Sequence, residues 1–230
     1  MNIILFGATG MVGQGALREC LLAPDVHRVL AIGRSATGVV HDKLHEIIQP
    51  DLCNYAAIEN ELSGYDACLF CLGVSSAGMT EADYTRITHD IPLAAAKTLA
   101  RLNPGMTFIL ITAVGTDSSE KGNVMWARVK GRTENALLRL PFKAVYAFRP
   151  GGIQPLHGIR SRTLLYRVLM IVGAPLFPLL HRLFPNHITT TEELGRAMLI
   201  AARHGAPKPI LEAPDFIRLA RAEASTQPQL

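Results

Sequence analysis

Three glycines near the start of the chain have the spacing of a phosphate-binding turn. Gly7, Gly10 and Gly13 follow the apolar run 3–6 and precede a segment with helical apolar spacing. The first glycine permits a tight turn, the second lets backbone approach a pyrophosphate, and the third lets the helix pack closely on the strand. The N–H groups at the start of the helix can bind phosphate. An ordinary strand-to-helix turn is the alternative, but the pattern favours a dinucleotide site formed by Gly7, Thr9, Gly10, Met11, Val12 and Gly13.

The end of the second predicted strand (residues 28–32) indicates which dinucleotide is bound. An acidic residue there accepts hydrogen bonds from a free ribose 2′-hydroxyl, whereas an arginine accommodates a 2′-phosphate. The sequence has Arg34 and Ser35 at this point and no acid. A solvated loop arginine is the alternative. We expect NADP as the cofactor, with NAD as the alternative.

Two further strand ends are expected beside the cofactor. After the third strand (45–49), Asp51 and Leu52 are expected near the adenine, although an aspartate after Pro50 can also simply turn the chain. The fourth strand (67–72) ends in small residues that let the backbone pass close to the second ribose. The cofactor residues predicted here are Cys71, Leu72, Gly73 and Val74.

Composition and order of elements predict one α/β domain with a doubly wound parallel sheet. The chain has 230 residues, 49% of them hydrophobic, which is enough for a sheet covered on both faces. We expect a dinucleotide-binding core over residues 1–153, a small, mostly helical substrate-side lobe over 154–220 that completes the same domain, and a disordered tail over 221–230. The net charge of +4 is spread along the chain and accompanies no nucleic-acid motif, so no nucleic acid is expected as a partner.

Other features exclude some classes of protein. Cys68 and Cys71 form a C-x-x-C pair, but inside an apolar run and without a second pair, so we expect no metal site. The N-terminus lacks the features of a secretory signal, and the protein is expected to be cytoplasmic. The apolar stretch 164–184 is interrupted by prolines and charges, so it is not expected to form a transmembrane segment. We expect a helical hairpin over the active site there; a homodimer contact or a membrane-surface patch is the alternative.

The chain resembles atypical and extended members of the short-chain dehydrogenase/reductase superfamily, which have a Rossmann fold. It is similar to bacterial NAD-dependent epimerase/dehydratase-like proteins and to the Tat-interacting oxidoreductase-like group. The resemblance covers nearly the whole chain and implies the fold and the cofactor, but no particular reaction. It rests on the motifs at residues 7–13, 33–34, 71–73, 129–131, 149–151 and 190–198.

The resemblance also implies a catalytic set of a hydroxyl residue, a tyrosine and a lysine four residues after the tyrosine. It places Lys130 at the lysine, which binds the nicotinamide ribose, and Thr112 near the hydroxyl position. Trp126 stands where the tyrosine is expected, and an indole N–H cannot give up its proton near neutral pH. Further cofactor contacts are expected from Pro150, Gly151 and Gly152.

The tryptophan leaves two hypotheses open, besides a reaction that needs no tyrosine. One is an NADP-dependent oxidoreductase or epimerase-like enzyme acting on a small carbonyl or alcohol, in which Tyr84, His157, water or the substrate supplies the proton. The other is a regulator or redox sensor that binds the nucleotide without catalysis.

Overall fold

The computed structural model describes residues 1–159 and 188–224. The strands in these residues are β1 (Asn2–Phe6), β2 (Arg28–Gly33), β3 (Leu44–Ile48), β4 (Ala67–Phe70), β5 (Thr107–Ile111), β6 (Ala144–Arg149), β7 (Gly152–Gln154), β8 (Ile188–Thr190) and β9 (Ile210–Glu212). The α-helices are α1 (Met11–Leu22), α2 (Glu81–Thr85), α3 (Ile91–Leu102), α4 (Met125–Leu137), α5 (Thr191–His204) and α6 (Ala213–Ala224). A 3₁₀ helix covers Ala56–Glu61 and a π-helical turn covers Arg86–Asp90.

Seven strands form one parallel sheet in the order β3-β2-β1-β4-β5-β6-β9. Strand β1 lies between β2 and β4, so that Leu5 pairs with Ala31 on one side and with Leu69 on the other. Residues 3–6 are completely buried because helices cover both faces of the sheet. The order of the strands reverses between β1 and β4, and in such sheets the ligand crevice opens outside the carboxyl ends of the strands at this point.

The two faces of the sheet carry separate apolar cores. On one face, Ala16 of α1, Met198 of α5 and Phe216 of α6 pack on alternate strand residues. On the other face, α3 and α4 cover a row of phenylalanines in which the Phe6 and Phe70 rings stack at 5.0 Å. The doubly wound sheet predicted from the sequence is therefore confirmed.

Helices α1 and α5 approach closely because each carries a glycine at the contact. A Cβ atom on Gly15 would lie 2.6 Å from the Thr191 carbonyl oxygen, and one on Gly195 would lie 2.9 Å from Cγ of Glu19. Glu19 is buried between the helices and forms an ion pair with Arg196 at 3.2 Å. The C-terminal part of the chain is thereby joined to the helix that follows the glycine turn.

The helical segment over residues 81–102 is interrupted by the π-helical turn. The N–H of Ile91 donates to the Arg86 carbonyl oxygen, five residues earlier, and Pro92 lies in the first turn of α3, where its missing N–H is harmless. Side chains at adjacent positions of a regular helix, such as His89 and Asp90, are expected to point apart. That expectation is wrong, because His89 Nδ1 lies 2.9 Å from Asp90 Oδ1 within this turn.

The C-terminal elements complete the sheet and one of its faces. The N-cap of α5 is Thr190, which forms a capping box with Glu193. Strand β9 lies at the edge of the sheet, parallel to β6. Helix α6 was not foreseen; it continues to Ala224, into the expected tail over 221–230, of which residues 225–230 lie outside the described residues.

The expectation for the apolar stretch 164–184 also falls outside the described residues. Across residues 1–159 and 188–224, the structure has no helix that is both long and apolar enough to cross a membrane.

Candidate functional site

A cavity of about 640 Å³ opens at the carboxyl ends of strands β1 to β4, where the strand order reverses. This volume is in the range of small-molecule and cofactor sites. Eleven of the residues predicted from the sequence to bind the cofactor line it: Gly7, Thr9, Gly10, Arg34, Ser35, Asp51, Leu52, Cys71, Leu72, Gly73 and Val74.

The glycine turn forms the floor of the cavity and leaves no room for side chains. Gly7 has φ +76°, and a Cβ atom on it would lie 2.6 Å from the Leu72 backbone nitrogen. A Cβ atom on Gly13 would lie 2.0 Å from the Gly7 carbonyl oxygen. Gly13 is buried beneath the turn, and Met11, Val12 and Gly13 do not line the cavity. Of these three residues, Gly13 shapes the turn from below by its close approach to Gly7.

The start of helix α1 fits a diphosphate. Its N-cap, Gly10, has no side chain to accept a hydrogen bond from the first-turn N–H groups, and that turn contains no acidic residue. Unpaired N–H groups and the positive end of the helix dipole favour an anion at this position. The backbone cradle and the size of the cavity both suit a dinucleotide.

The outer end of the cavity, beside β2 and β3, carries charges of both signs. Arg34 lines it and forms no ion pair within the described part of the chain. Sequence reasoning missed Glu46, which lies beside Ala31 in the parallel register of β2 and β3. Its carboxylate accepts a hydrogen bond of 2.7 Å from the Thr37 N–H. The pairing of β3 with β2 was the signal that could have revealed Glu46 as a residue of the site.

Asp51 closes a turn and also lies in the wall of the cavity. Its Oδ1 accepts a hydrogen bond of 2.9 Å from the Cys53 N–H, which closes a turn after β3, and the residue also lines the cavity. Leu52 beside it is 3% exposed and packs below the cavity.

The wall facing β3 comes from the region of the π-helical turn, which sequence reasoning did not connect with the site. The residues that line the cavity from this side are Asp83, Arg86, Ile87 and Ile91. A π-helical turn has no sequence pattern comparable to the glycine spacing, and such turns occur frequently at functional sites.

The residues predicted for catalysis lie outside this cavity. Thr112 is 7% exposed and its hydroxyl donates a hydrogen bond of 2.6 Å to Glu134 Oε1. Glu134 also forms an ion pair of 2.5 Å with Arg149, and its side chain is completely buried. The Thr112 hydroxyl is thus part of a buried polar network that joins β5, α4 and β6. Of the residues after β6 that were predicted to contact the cofactor, Pro150, Gly151 and Gly152 do not line the cavity either.

Lys130 and Trp126 lie one turn apart on α4. Burial lowers the pKa of Lys130 to about 8, against the opposing effect of the Glu134 carboxylate. The ring of Trp126 faces Gly115, where an added Cβ atom would lie 3.4 Å from the indole. A Cβ atom on Gly131 would lie 1.8 Å from the Asp117 carbonyl oxygen, so Gly131 allows α4 to touch the loop after β5.

The two side chains considered as replacement proton donors are engaged elsewhere. Tyr84 is 1% exposed, and burial raises its pKa. His157 Nε2 lies 2.5 Å from Glu192 Oε2, at the start of α5. Neither side chain lines the cavity.

Comparison with solved structures confirms the class of fold. The Bordetella bronchiseptica enzyme WbmG in complex with NAD matches with a TM-score of 0.64 and 13% identity, over 92% of this chain and 72% of that one. A short-chain dehydrogenase/reductase family oxidoreductase from Burkholderia thailandensis matches with a TM-score of 0.64 and 15% identity, over 99% and 98%. The chain therefore has the Rossmann fold of the short-chain dehydrogenase/reductase and epimerase/dehydratase enzymes, as its motifs predicted.

Sequence comparison finds more similar proteins among fungi. The chain is 31% identical over 159 residues to the mitochondrial protein fmp52 of Emericella nidulans, covering 66% of each protein. It is 26% identical over 209 residues to mitochondrial FMP52 of Meyerozyma guilliermondii, covering 88% of this chain and 85% of that protein. The match thus spans slightly less than two thirds of the first relative. No family model matches the chain.

The names of these relatives overturn one expectation. Several of them are described as mitochondrial, so the cytoplasmic location expected from the N-terminal sequence is wrong. A test for a secretory signal does not detect other routes into an organelle.

Proposed function

We propose that this chain binds NADP in the cavity at the ends of β1 to β4 and acts as an oxidoreductase or epimerase-like enzyme on a small carbonyl or alcohol. The observation that carries the proposal is the glycine cradle, which opens into a cavity bordered by Arg34. The structural neighbours support a nicotinamide dinucleotide, since WbmG is described in complex with NAD.

The choice of NADP over NAD depends on the balance between Arg34 and Glu46. A guanidinium can form two parallel hydrogen bonds with a 2′-phosphate, and Arg34 has no competing ion pair among the described residues. Glu46 favours NAD as the second candidate, because a carboxylate can accept hydrogen bonds from a free ribose diol. The Glu46 carboxylate already accepts the Thr37 N–H, which favours Arg34 as the deciding residue.

Calorimetric titration with NADPH and NADH tests this choice. Replacing Arg34 by alanine is expected to weaken NADPH binding by about 10- to 100-fold, since a hydrogen bond to a charged group contributes about 1.5–3 kcal/mol. NADH binding should stay unchanged. Glu46→Gln is expected to strengthen NADPH binding, because it removes a negative charge near the phosphate.

The control is Arg139→Ala, which removes an exposed arginine outside the cavity and should alter neither affinity. A wild-type preference for NADH would establish the NAD alternative. The absence of binding by either cofactor would refute the dinucleotide site itself.

Catalysis by this chain would lack the usual tyrosine. We propose that Lys130 holds the nicotinamide ribose, and that water or the substrate supplies the proton, because Tyr84 is buried and His157 pairs with Glu192. Bound NADP would supply or accept the hydride. Two observations favour the alternative of a nucleotide-binding regulator: Trp126 stands in place of the tyrosine, and the Thr112 hydroxyl donates to Glu134.

Replacing Lys130 by methionine separates these alternatives. An enzyme should oxidise NADPH with at least one member of a panel of small aldehydes and ketones, and Lys130→Met should abolish that activity. At pH 7, the free energy of unfolding of the same variant should be about 1–3 kcal/mol higher than that of the wild type, because the substitution removes a charge whose burial is unfavourable. Its unfolding temperature should rise accordingly. Thermal unfolding followed by circular dichroism measures this change.

The lowered pKa of Lys130 also predicts how the stability of the folded chain changes with pH. The pKa of Lys130 is about 8 in the folded chain against 10.5 in an exposed lysine, so the unfolded chain binds more protons between these values. The Lys130 contribution to stability therefore rises from pH 8 to 10.5, and Lys130→Met should remove this rise. If the chain is a regulator instead, it should bind both NADP and NADPH, and neither the wild type nor Lys130→Met should turn over any substrate.

A further inference from the structure

The π-helical turn brings an arginine into the wall of the cavity. Because the Ile91 N–H bonds to the Arg86 carbonyl oxygen five residues earlier, Arg86 and Ile91 share one face of the turn. Both line the cavity, as does Ile87 between them. Arg86 is exposed and forms no ion pair with any residue in the described ranges.

Arg86 faces the end of β3 across the cavity. Burial raises the pKa of the Cys53 thiol and Asp51 raises it further, whereas the positive charge of Arg86 lowers it. Cys53 belongs to the segment 50–53, which follows β3 and lines the same cavity as Arg86. The same cavity is lined by Arg34 and Ser35 after β2, the strand that pairs with β3.

The surroundings of Arg86 suit a flat aromatic ring better than a phosphate. Ile48, Leu52, Ile87 and Ile91 give this end of the cavity apolar walls. The nearby carboxylates are held by other groups. Asp51 accepts from the Cys53 N–H, Asp83 pairs with Thr80 at the start of α2, and Asp90 pairs with His89. The guanidinium is thus left available to a ligand.

We propose that Arg86 lies over the purine ring of the bound adenosine and contributes to binding by stacking on the base. A planar guanidinium stacks on an aromatic face, and the apolar residues of the two walls hold the ring at its edges. Arg34 then recognises the ribose phosphate and Arg86 the base, so the two arginines have separable functions. This proposal rests on the dinucleotide site proposed above.

Calorimetric titration of three Arg86 variants with NADPH, NADH and 5′-AMP tests the proposal. Arg86→Ala is expected to weaken all three ligands by the same factor, about 3- to 30-fold. Arg86→Phe should restore most of the affinity, because an aromatic ring also stacks on a base. Arg86→Lys should restore less than phenylalanine, because an ammonium has no planar face. Arg139→Ala is the matched exposed control and should have no effect.

Each other outcome contradicts the proposal in a distinct way. A loss confined to NADPH in Arg86→Ala would mean that Arg86 contacts the 2′-phosphate. Recovery with lysine but not with phenylalanine would mean that Arg86 binds the ligand through its positive charge and not through its planar guanidinium group. Unchanged affinities in all three variants would show that Arg86 does not contact the ligand, and the proposed function would still stand. Absence of wild-type binding to all three ligands would overturn both proposals.

Discussion

Alanine at position 13 is expected to abolish dinucleotide binding and to destabilise the fold. The added Cβ atom would lie 2.0 Å from the Gly7 carbonyl oxygen and 2.9 Å from Cα of Ala8, which are both backbone atoms. Helix α1 must therefore move away from β1, and the first-turn N–H groups leave their position beneath the phosphates. We expect a loss of about 3 kcal/mol in the free energy of unfolding, at the upper end of overpacking effects. Urea denaturation and NADPH titration measure the two effects.

The matched control is Gly105→Ala. No atom lies within 4 Å of a Cβ added at Gly105, and its φ is not positive, so this variant should stay within about 0.5 kcal/mol of the wild type. A Gly13→Ala protein with wild-type affinity for NADPH would show that the helix is free to shift, and that the turn is not the phosphate cradle.

Removing the Glu134 carboxylate is expected to have a comparable effect on stability, beside the carboxyl ends of β5 and β6. Its side chain is completely buried and accepts hydrogen bonds from Arg149 and from the Thr112 hydroxyl. Glu134→Ala leaves the guanidinium without its principal partner, and breaking a buried ion pair in this way costs about 3–5 kcal/mol. Arg149 retains Ser118 and Glu212, both at the surface side, so we expect the lower end of this range.

The double variant Glu134→Met with Arg149→Met distinguishes the cost of an unpaired charge from the contribution of the pair. Replacing both partners by apolar residues is often neutral, so urea denaturation should show a stability much closer to the wild type than Glu134→Ala. If the double variant is as unstable as Glu134→Ala, the pair itself stabilises the contact between α4 and β6.

Much of the site could be predicted because its determinants are local in the sequence. The glycine spacing, the apolar strands and the residue after β2 each describe one turn or one strand end. In a parallel sheet, the carboxyl ends of neighbouring strands meet at one edge. The predicted contacts of Gly7, Arg34, Asp51 and Cys71 with one cavity follow from this geometry.

Other features could not be predicted because they depend on contacts between distant segments. Glu46 borders the site only because β3 pairs with β2 in a particular register. Arg86 reaches the cavity through a π-helical turn, and the Thr112 hydroxyl is bound by Glu134, 22 residues away.

The sequence by itself determined the Rossmann fold, the phosphate turn and the absence of a tyrosine four residues before Lys130. These are properties of short segments, in which backbone sterics and periodic burial decide the outcome. Only the tertiary structure decided which charges line the cavity beside β2 and β3 and which are buried in ion pairs. The physical reason is that a charged side chain binds whichever group the packed chain places within a few ångströms, and sequence separation does not limit that choice.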